Sequence, residues 1–128
     1  MNKVALDTNI AIDILNGKRE TVDSLGKYDL LFLPVTVCGE LLFGARNSSK
    51  REENLRKFRE FIKQSKILPI TGDVAEQYAE IRWRLKHEGK PIPENDIWIA
   101  SLCKANGVPL MTKDRHFSYI DGLALEPT

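Results

Sequence analysis

Residues 3–15 of this 128-residue chain, KVALDTNIAIDIL, decide the fold class, because a strand pattern passes here directly into a helix pattern. The apolar run over residues 3–6 is typical of a short buried strand. Over residues 8–15 the spacing is helical, with Ile10 and Ile14 four residues apart on one face. A strand that leads at once into a helix predicts a β–α–β arrangement and therefore a parallel sheet.

The same alternation continues along the rest of the chain. Further strand signals lie at residues 30–33, 67–70, 109–111 and 123–125, and further helix signals at residues 19–25, 35–46, 50–64, 73–87 and 95–105. Alternating strands and helices predict an α/β fold, in which helices cover both faces of a mainly parallel sheet. Since the chain is short and has no repeats, linkers or low-complexity tracts, we predict a single domain over residues 1–128.

Composition and charge exclude several classes of protein. Nineteen Lys and Arg residues stand against eighteen Asp and Glu residues, so the net charge of +1 excludes a uniformly basic nucleic-acid coat, although not a local basic patch. Two cysteines, Cys38 and Cys103, are too few for a disulfide-rich secreted scaffold, and we interpret both as small core residues. The sequence shows neither the run of about twenty apolar residues that a membrane-spanning helix needs nor a signal-peptide core. We therefore expect a cytoplasmic protein.

Four acidic residues stand near predicted strand ends and helix starts. Asp7 comes directly after the first strand, and Asp114 follows the strand that ends at Met111. Glu40 and Asp96 lie in the first halves of two predicted helices. Because sites in parallel sheets form outside the carboxyl ends of the strands, we expect these four carboxyl groups to meet at one rim. There they should lie within metal-bridging distance of one another.

Each of these acids on its own has an ordinary structural explanation, as a helix cap, as an acid near a helix start or as a partly exposed side chain. Together they destabilise the folded chain, because four carboxylates on one rim repel one another and raise one another's pKa values. A divalent cation would remove the repulsion. A ligand set made only of carboxylate oxygens suits Mg²⁺ or Mn²⁺ and not zinc or copper.

Four segments of the sequence carry a resemblance to a known family. They are LDTN at residues 6–9, VCGELLFG at residues 37–44, PENDIWIA at residues 93–100 and LMTKDRHF at residues 110–117. In these segments, and over essentially its whole length, the chain resembles a PIN domain, most closely the VapC-type toxins of bacterial and archaeal toxin–antitoxin pairs. The resemblance implies a three-layer α/β/α sandwich with a mainly parallel central sheet, and a Mg²⁺-dependent endoribonuclease activity.

The resemblance also implies roles for individual residues. The family's catalytic acids, which also bind its metal, correspond to Asp7, Glu40, Asp96 and Asp114. Its supporting polar residues correspond to Asn9 and Thr112. Asp7 and Asp96 are the first-choice metal ligands, and Asp114 is a ligand directly or through water. Glu40 is a further ligand or the group that positions the attacking water. Whether one metal ion or two are bound stays open.

The resemblance further implies a cofactor and partners. The cofactor is Mg²⁺, with Mn²⁺ as a substitute. The partners are an RNA substrate, a cognate antitoxin protein and a second copy of the chain in a homodimer. The sequence specifies neither the RNA nor the antitoxin.

Basic residues near the acids are candidates for contacting the substrate. Lys113 and Arg115 stand on either side of Asp114, where they are placed to contact a phosphate or, equally, to offset the acidic charge. A longer basic stretch, residues 50–66, has seven basic and three acidic residues, which is more typical of a solvated amphipathic helix than of an RNA-binding track. We therefore keep Lys113 and Arg115 as the candidate substrate-binding residues.

Two other functions stay open. The first is a catalytically inactive PIN-like module, which would bind RNA or protein without metal-dependent turnover. The second is a phosphoacceptor domain of receiver type, which also has about this length and clustered acids. A receiver has adjacent acids after its first strand and a Lys before a Pro after its last, whereas here Asp7 has no acidic neighbour and Lys113 is followed by Asp114. These departures count against the receiver.

Overall fold

In the computed structural model, which describes residues 1–128, five strands and six α-helices follow one another along the chain. The strands are β1 (Lys3–Leu6), β2 (Leu30–Pro34), β3 (Lys66–Leu68), β4 (Leu110–Met111) and β5 (Leu125–Glu126). The helices are α1 (Thr8–Leu15), α2 (Arg19–Ser24), α3 (Val35–Arg46), α4 (Arg51–Gln64), α5 (Gly72–His87) and α6 (Glu94–Asn106). Every predicted strand and helix is present, with ends that differ by one or two residues at most.

The five strands form one sheet in the order β3-β2-β1-β4-β5, and all neighbouring strands are parallel. β1 lies at the centre, where Ala5 pairs with Phe32 of β2 on one side and with Leu110 of β4 on the other. Val4, Ala5 and Leu6 are all fully buried. Since successive side chains of a strand point to opposite faces, their burial requires cover on both faces of the sheet. The predicted α/β/α sandwich is confirmed.

The parallel sheet brings the ends of β1 and β4 together. Leu6, the last residue of β1, pairs with Met111, the last residue of β4. The backbone N–H of Asp7 donates a hydrogen bond to the carbonyl of Met111 at 3.1 Å. Asp7 and Thr112 therefore leave the sheet side by side at its carboxyl rim, where the sequence predicts a site.

The segment after β4 contains an element that the sequence pattern did not predict. It is a 3-10 helix over Arg115–Tyr119, which Asp114 caps at its N-terminus. Five residues are too few to show a helical periodicity. The sequence therefore indicated only that Asp114 could be a helix cap. Phe117 fixes this helix to the core, because its side chain is the largest among those that are fully buried.

The substitution Phe117→Ala should therefore lower the free energy of unfolding by about 3–5 kcal/mol, since it removes a fully buried ring and leaves a cavity. Urea denaturation followed by circular dichroism measures the loss. Tyr119→Ala is the matched control, because this ring lies in the same 3-10 helix but is 42% exposed. A loss for Phe117→Ala no larger than that of the control would contradict the buried position of Phe117.

The helices turn apolar residues inward and polar residues outward. In α5, Val74 and Leu85 are buried, whereas Trp83 on the opposite side is 60% exposed. Cys38 in α3 and Cys103 in α6 are buried free thiols, in agreement with their interpretation as core residues. None of the helices is at once long enough and apolar enough to span a bilayer.

Candidate active site

Asp7 is held by hydrogen bonds on both carboxylate oxygens and is only 5% exposed. Its Oδ1 accepts a hydrogen bond from the backbone N–H of Thr8 at 2.8 Å, which makes Asp7 the N-cap of α1. Its Oδ2 accepts one from the Thr112 hydroxyl at 2.7 Å and one from the Asn9 side-chain amide at 3.2 Å. Asp7 therefore caps α1, as its ordinary structural explanation predicts, while its second oxygen is bound both from the segment after β4 and from α1.

Thr112 and Asn9 tie Asp7 to the segment that follows β4. The Thr112 hydroxyl also accepts a hydrogen bond from the backbone N–H of Asp114 at 3.0 Å. The Oδ1 of Asn9 accepts one from the backbone N–H of Lys113 at 3.2 Å. Burial raises the pKa of Asp7 above its usual value, while the hydrogen bonds favour the ionised form and oppose that shift. The structure thus brings both residues expected to support the site into contact with Asp7.

Asp96 lies in the first turn of α6, where the other three acids affect it. The pKa of its half-buried carboxyl is raised to about 6, first by burial and then by the negative charges of Asp7, Asp114 and Glu40. The Asp96 carboxyl is thus affected by acids from three other parts of the chain, at the end of β1, in α3 and after β4. In contrast to Asp7, the carboxylate of Asp96 accepts no hydrogen bond from the chain.

Glu40 and Asp114 approach the rim from different elements, and a neighbour holds each of them. Glu40 is exposed on α3, and its Oε1 accepts a hydrogen bond from the side-chain amide of Asn95 at 2.5 Å. The Oδ1 of Asp114 accepts one from the backbone N–H of His116 at 2.9 Å and lies 2.8 Å from Nδ1 of the same histidine. Both carboxylates are less enclosed than that of Asp7.

The donor chemistry at this rim suits a hard divalent cation, because all four acids offer carboxylate oxygens. In the placement that the structure shows, no three Asp, Glu, His or Cys side chains stand close enough around one point to hold a metal ion. The expectation of metal-bridging distances is therefore not met for any three of the acids. In the structure Glu40 is instead hydrogen-bonded to Asn95, and Asp114 to the backbone of His116.

Other contacts at the rim involve residues that the sequence pattern did not select. The ammonium group of Lys113 pairs with Asp13 of α1, whereas the exposed Arg115 makes no ion pair. Asn95 contacts Glu40 although the two are 55 positions apart, and its one sequence signal is its place beside a predicted acid. Asp13 has no such signal, since a polar residue in a helix is ordinarily taken as solvent-exposed.

The sequence matches the family model of the PIN domain over residues 4–123. The match spans nearly the whole chain and includes all four acids of the rim together with Asn9 and Thr112. The chain belongs to the PIN domain family. The resemblance that the four sequence segments indicate is therefore confirmed for the family and, as the relatives below show, for the VapC type within it.

Several relatives of this PIN-domain chain are VapC proteins. It is 30% identical over 126 residues to ribonuclease VapC2 of Rickettsia felis, and the match covers 94% of each chain. It is also 30% identical over 130 residues to the tRNA(fMet)-specific endonuclease VapC of Shigella flexneri, with 98% of each chain covered. Among solved structures, it is similar to that of VapBC2 from Rickettsia felis bound to a DNA fragment from their promoter. The TM-score is 0.87, with 29% identity and 97% of each chain covered.

The hydrogen bond from Thr112 to Asp7 can be tested by Thr112→Val, which keeps the shape of the side chain and removes the hydroxyl. This bond favours the ionised carboxylate, so its loss should raise the pKa of Asp7 further. At pH 7 the variant should lose about 2 kcal/mol of unfolding free energy, a loss that shrinks as pH falls and Asp7 becomes protonated. Carboxyl ¹³C NMR titration and urea denaturation, both on metal-free protein, measure the two effects.

Thr36→Val is the matched control for that measurement, because the buried hydroxyl of Thr36 in α3 has no hydrogen-bonding partner. Removing a hydroxyl that makes no hydrogen bond should leave the titration of Asp7 unchanged. An Asp7 pKa that stays the same in Thr112→Val would show that the hydroxyl does not act on the ionised carboxylate.

Proposed function

We propose that this PIN-domain protein is a Mg²⁺-dependent endoribonuclease that hydrolyses RNA phosphodiester bonds and acts as the toxin of a toxin–antitoxin pair. The observation that carries the proposal is the pairing at one rim of Asp7, which is buried and hydrogen-bonded on both carboxylate oxygens, with Asp96, whose pKa is raised by burial and by three other carboxylates. Acids perturbed in this way cluster at functional sites. The relatives named as a ribonuclease and as a tRNA endonuclease, each 30% identical, support the same chemistry.

The cofactor that we propose is Mg²⁺, for which Mn²⁺ would substitute. Asp7 and Asp96 would hold it first, and Asp114 would bind it directly or through water. Glu40 would be a further ligand or the group that positions the attacking water. When bound, the ion would offset phosphate charge, lower the pKa of a water molecule and stabilise the leaving oxygen.

The side chains at the rim would contribute in different ways. Asp7 gives the site a fixed point, because hydrogen bonds hold both of its carboxylate oxygens. Glu40 is exposed, so after releasing Asn95 it is free to accept a proton from the attacking water. Arg115 is exposed and makes no ion pair, so it is placed to contact an RNA phosphate beside Asp114.

We further propose that the chain binds a cognate antitoxin protein and forms a homodimer. Similarity to VapBC2 of Rickettsia felis supports the first proposal, and the resemblance to VapC-type toxins supports both. Size-exclusion chromatography with light scattering on the purified chain tests the dimer. Co-purification with the product of a neighbouring short gene tests the antitoxin.

A PIN-like module that binds RNA without cutting it is the second candidate. It is favoured by one observation, namely that no three acidic side chains are placed around a common point. This candidate predicts RNA binding that is unaffected by Mg²⁺ and by neutralisation of Asp96.

The test is cleavage of end-labelled RNA by the purified chain with Mg²⁺, with Mn²⁺ and with EDTA. The substrates are total tRNA, the initiator tRNA and ribosomal RNA fragments. We expect discrete fragments with either metal and none with EDTA. Asp121→Asn, which neutralises a surface acid at 77% side-chain exposure, is the matched control and should cleave like the wild type. Binding without cleavage under every metal condition would favour the non-cutting module.

A further inference from the structure

An enclosed acid that the proposed chemistry does not use lies close to the rim. The side chain of Asp13 on α1 is only 18% exposed, and its Oδ2 is 3.8 Å from the Lys18 ammonium. The same oxygen accepts a hydrogen bond from the Thr21 hydroxyl at 3.3 Å and one from the Lys113 ammonium. The Lys113 contact holds the pKa of Asp13 below its usual value, so the carboxylate stays ionised at neutral pH.

Lys113 is bound to α1 at two points. Its backbone N–H donates to Oδ1 of Asn9 at 3.2 Å, and its ammonium group pairs with Asp13. Asn9 and Asp13 are four residues apart in α1 and therefore lie on one face of the helix. Because Lys113 stands between Thr112 and Asp114, the two contacts join α1 to the segment that carries both of these residues.

We propose that Asp13 is a positioning residue that acts through Lys113 to hold residues 112–114 against α1. The proposal rests on the proposed nuclease function. With the pair intact, the Thr112 hydroxyl stays at 2.7 Å from Asp7, and its bond to the Asp114 backbone keeps that acid at the rim. Without the pair, only the bond of Thr112 to Asp7 and the bond of the Lys113 backbone to Asn9 would hold the segment. The position of Asp114 relative to Asp7 would then be less firmly fixed.

Binding of a phosphate by the same lysines is less consistent with the charges. Lys18 and Lys113 line a cavity of about 200 Å³ beside Met111, but the carboxylate of Glu20 lines it too. The carboxylates of Glu20 and Asp13 balance the two ammonium groups. A neutral cluster gives little attraction for an anion, so the geometry favours an internal role for Lys113.

The test compares Asp13→Asn and Lys113→Met with Lys18→Met as the matched control. Lys18→Met also removes a charge beside Asp13, but leaves the contact to Lys113 in place. In metal-free protein, hydrogen exchange followed by NMR should show the backbone amides of Lys113 and Asp114 exchanging at least about tenfold faster in the first two variants. The control should match the wild type, and Lys113→Arg, which keeps a cation, should restore protection.

With Mg²⁺ and RNA, Asp13→Asn and Lys113→Met should each lower kcat about tenfold, within the range known for residues that orient metal ligands. The KM for RNA should stay within about twofold, and the double variant should be no worse than either single variant, because both remove one interaction.

Three results would overturn the proposal: unchanged exchange at both amides in Asp13→Asn, faster exchange across the whole chain instead of locally, or a raised KM for Lys113→Met alone. The last would make Lys113 an RNA contact. A wild type that exchanges as expected but cleaves no RNA would overturn the proposed function instead, and the exchange data would still decide whether Asp13 anchors the segment.

Discussion

Expression of the wild-type chain in bacteria without an antitoxin should arrest growth, and the Asp7→Asn variant should not. Asp7 directly follows the central strand of the sheet, so rigid backbone fixes its carboxylate at the rim. Its replacement by Asn removes one charge from a proposed direct ligand of the metal. RNA cleavage should fall by more than about a hundredfold, since changes one step further from a metal already cost 10–100-fold.

The fold should survive this change, because Asn is as good an N-cap as Asp and can still accept the hydrogen bond from the Thr8 backbone N–H. The loss of a buried charge offsets the loss of its hydrogen bonds from Thr112 and Asn9. Growth curves and RNA cleavage assays, with both proteins soluble at equal levels, give the result. Equal toxicity of wild type and variant would contradict the nuclease proposal and favour a protein that acts by binding.

The sequence was sufficient to predict the fold because its elements are short and strongly patterned. β1 and α1 follow each other at Asp7 without a loop, and their predicted bounds agree with the structure. The 3-10 helix over Arg115–Tyr119 was not predicted, because it has no local periodicity. It is stabilised by tertiary packing, above all by the burial of Phe117. Segments of this kind are visible only when the core that receives them is known.

The candidate site was predictable in its acids but not in the contacts that hold them. The rim follows from parallel strands, so Asp7 and Asp114 could be placed near each other from order alone. The hydrogen bond of Asn95 to Glu40 joins residues 55 positions apart. The pair of Asp13 with Lys113 joins residues 100 positions apart, and no local sequence pattern predicts either contact. Side-chain placement is equally invisible in the sequence, and in the structure no three of these acidic side chains stand around one point.

The substitution Asp96→Asn should abolish RNA cleavage and make the metal-free protein more stable. Burial and the charges of Asp7, Asp114 and Glu40 raise the pKa of Asp96 from 3.8 to about 6, so the ionised form destabilises the folded chain at neutral pH. A shift of that size corresponds to about 3 kcal/mol, which partial exposure and solvent screening reduce to about 1 kcal/mol. The variant should therefore melt about 4 °C higher at pH 7 in EDTA.

The sign of the pH dependence follows from the raised pKa. Below pH 3.8 Asp96 is protonated in both folded and unfolded chains, so it costs nothing. Between pH 3.8 and about 6 the unfolded chain loses this proton first, so the destabilisation grows, and above about pH 6 it stays constant. The stability advantage of Asp96→Asn should thus be largest above pH 6 and should disappear towards pH 4.

With Mg²⁺ the wild type should melt at a higher temperature than Asp96→Asn, the reverse of the order in EDTA. The reason is that a ligand that binds only the folded state stabilises it. In the wild type, bound cation would offset the repulsion that raises the pKa of Asp96, whereas the variant lacks both the charge and one proposed ligand. Thermal melts of wild type and Asp96→Asn at pH 5 and pH 7, each in EDTA and in MgCl₂, separate these terms. Asp121→Asn again controls for the loss of one surface acid. If Asp96→Asn melts below the wild type in EDTA at pH 7, the acids do not destabilise the folded chain by repulsion. If the variant is inactive because it is unfolded, its inactivity does not support Asp96 as a metal ligand.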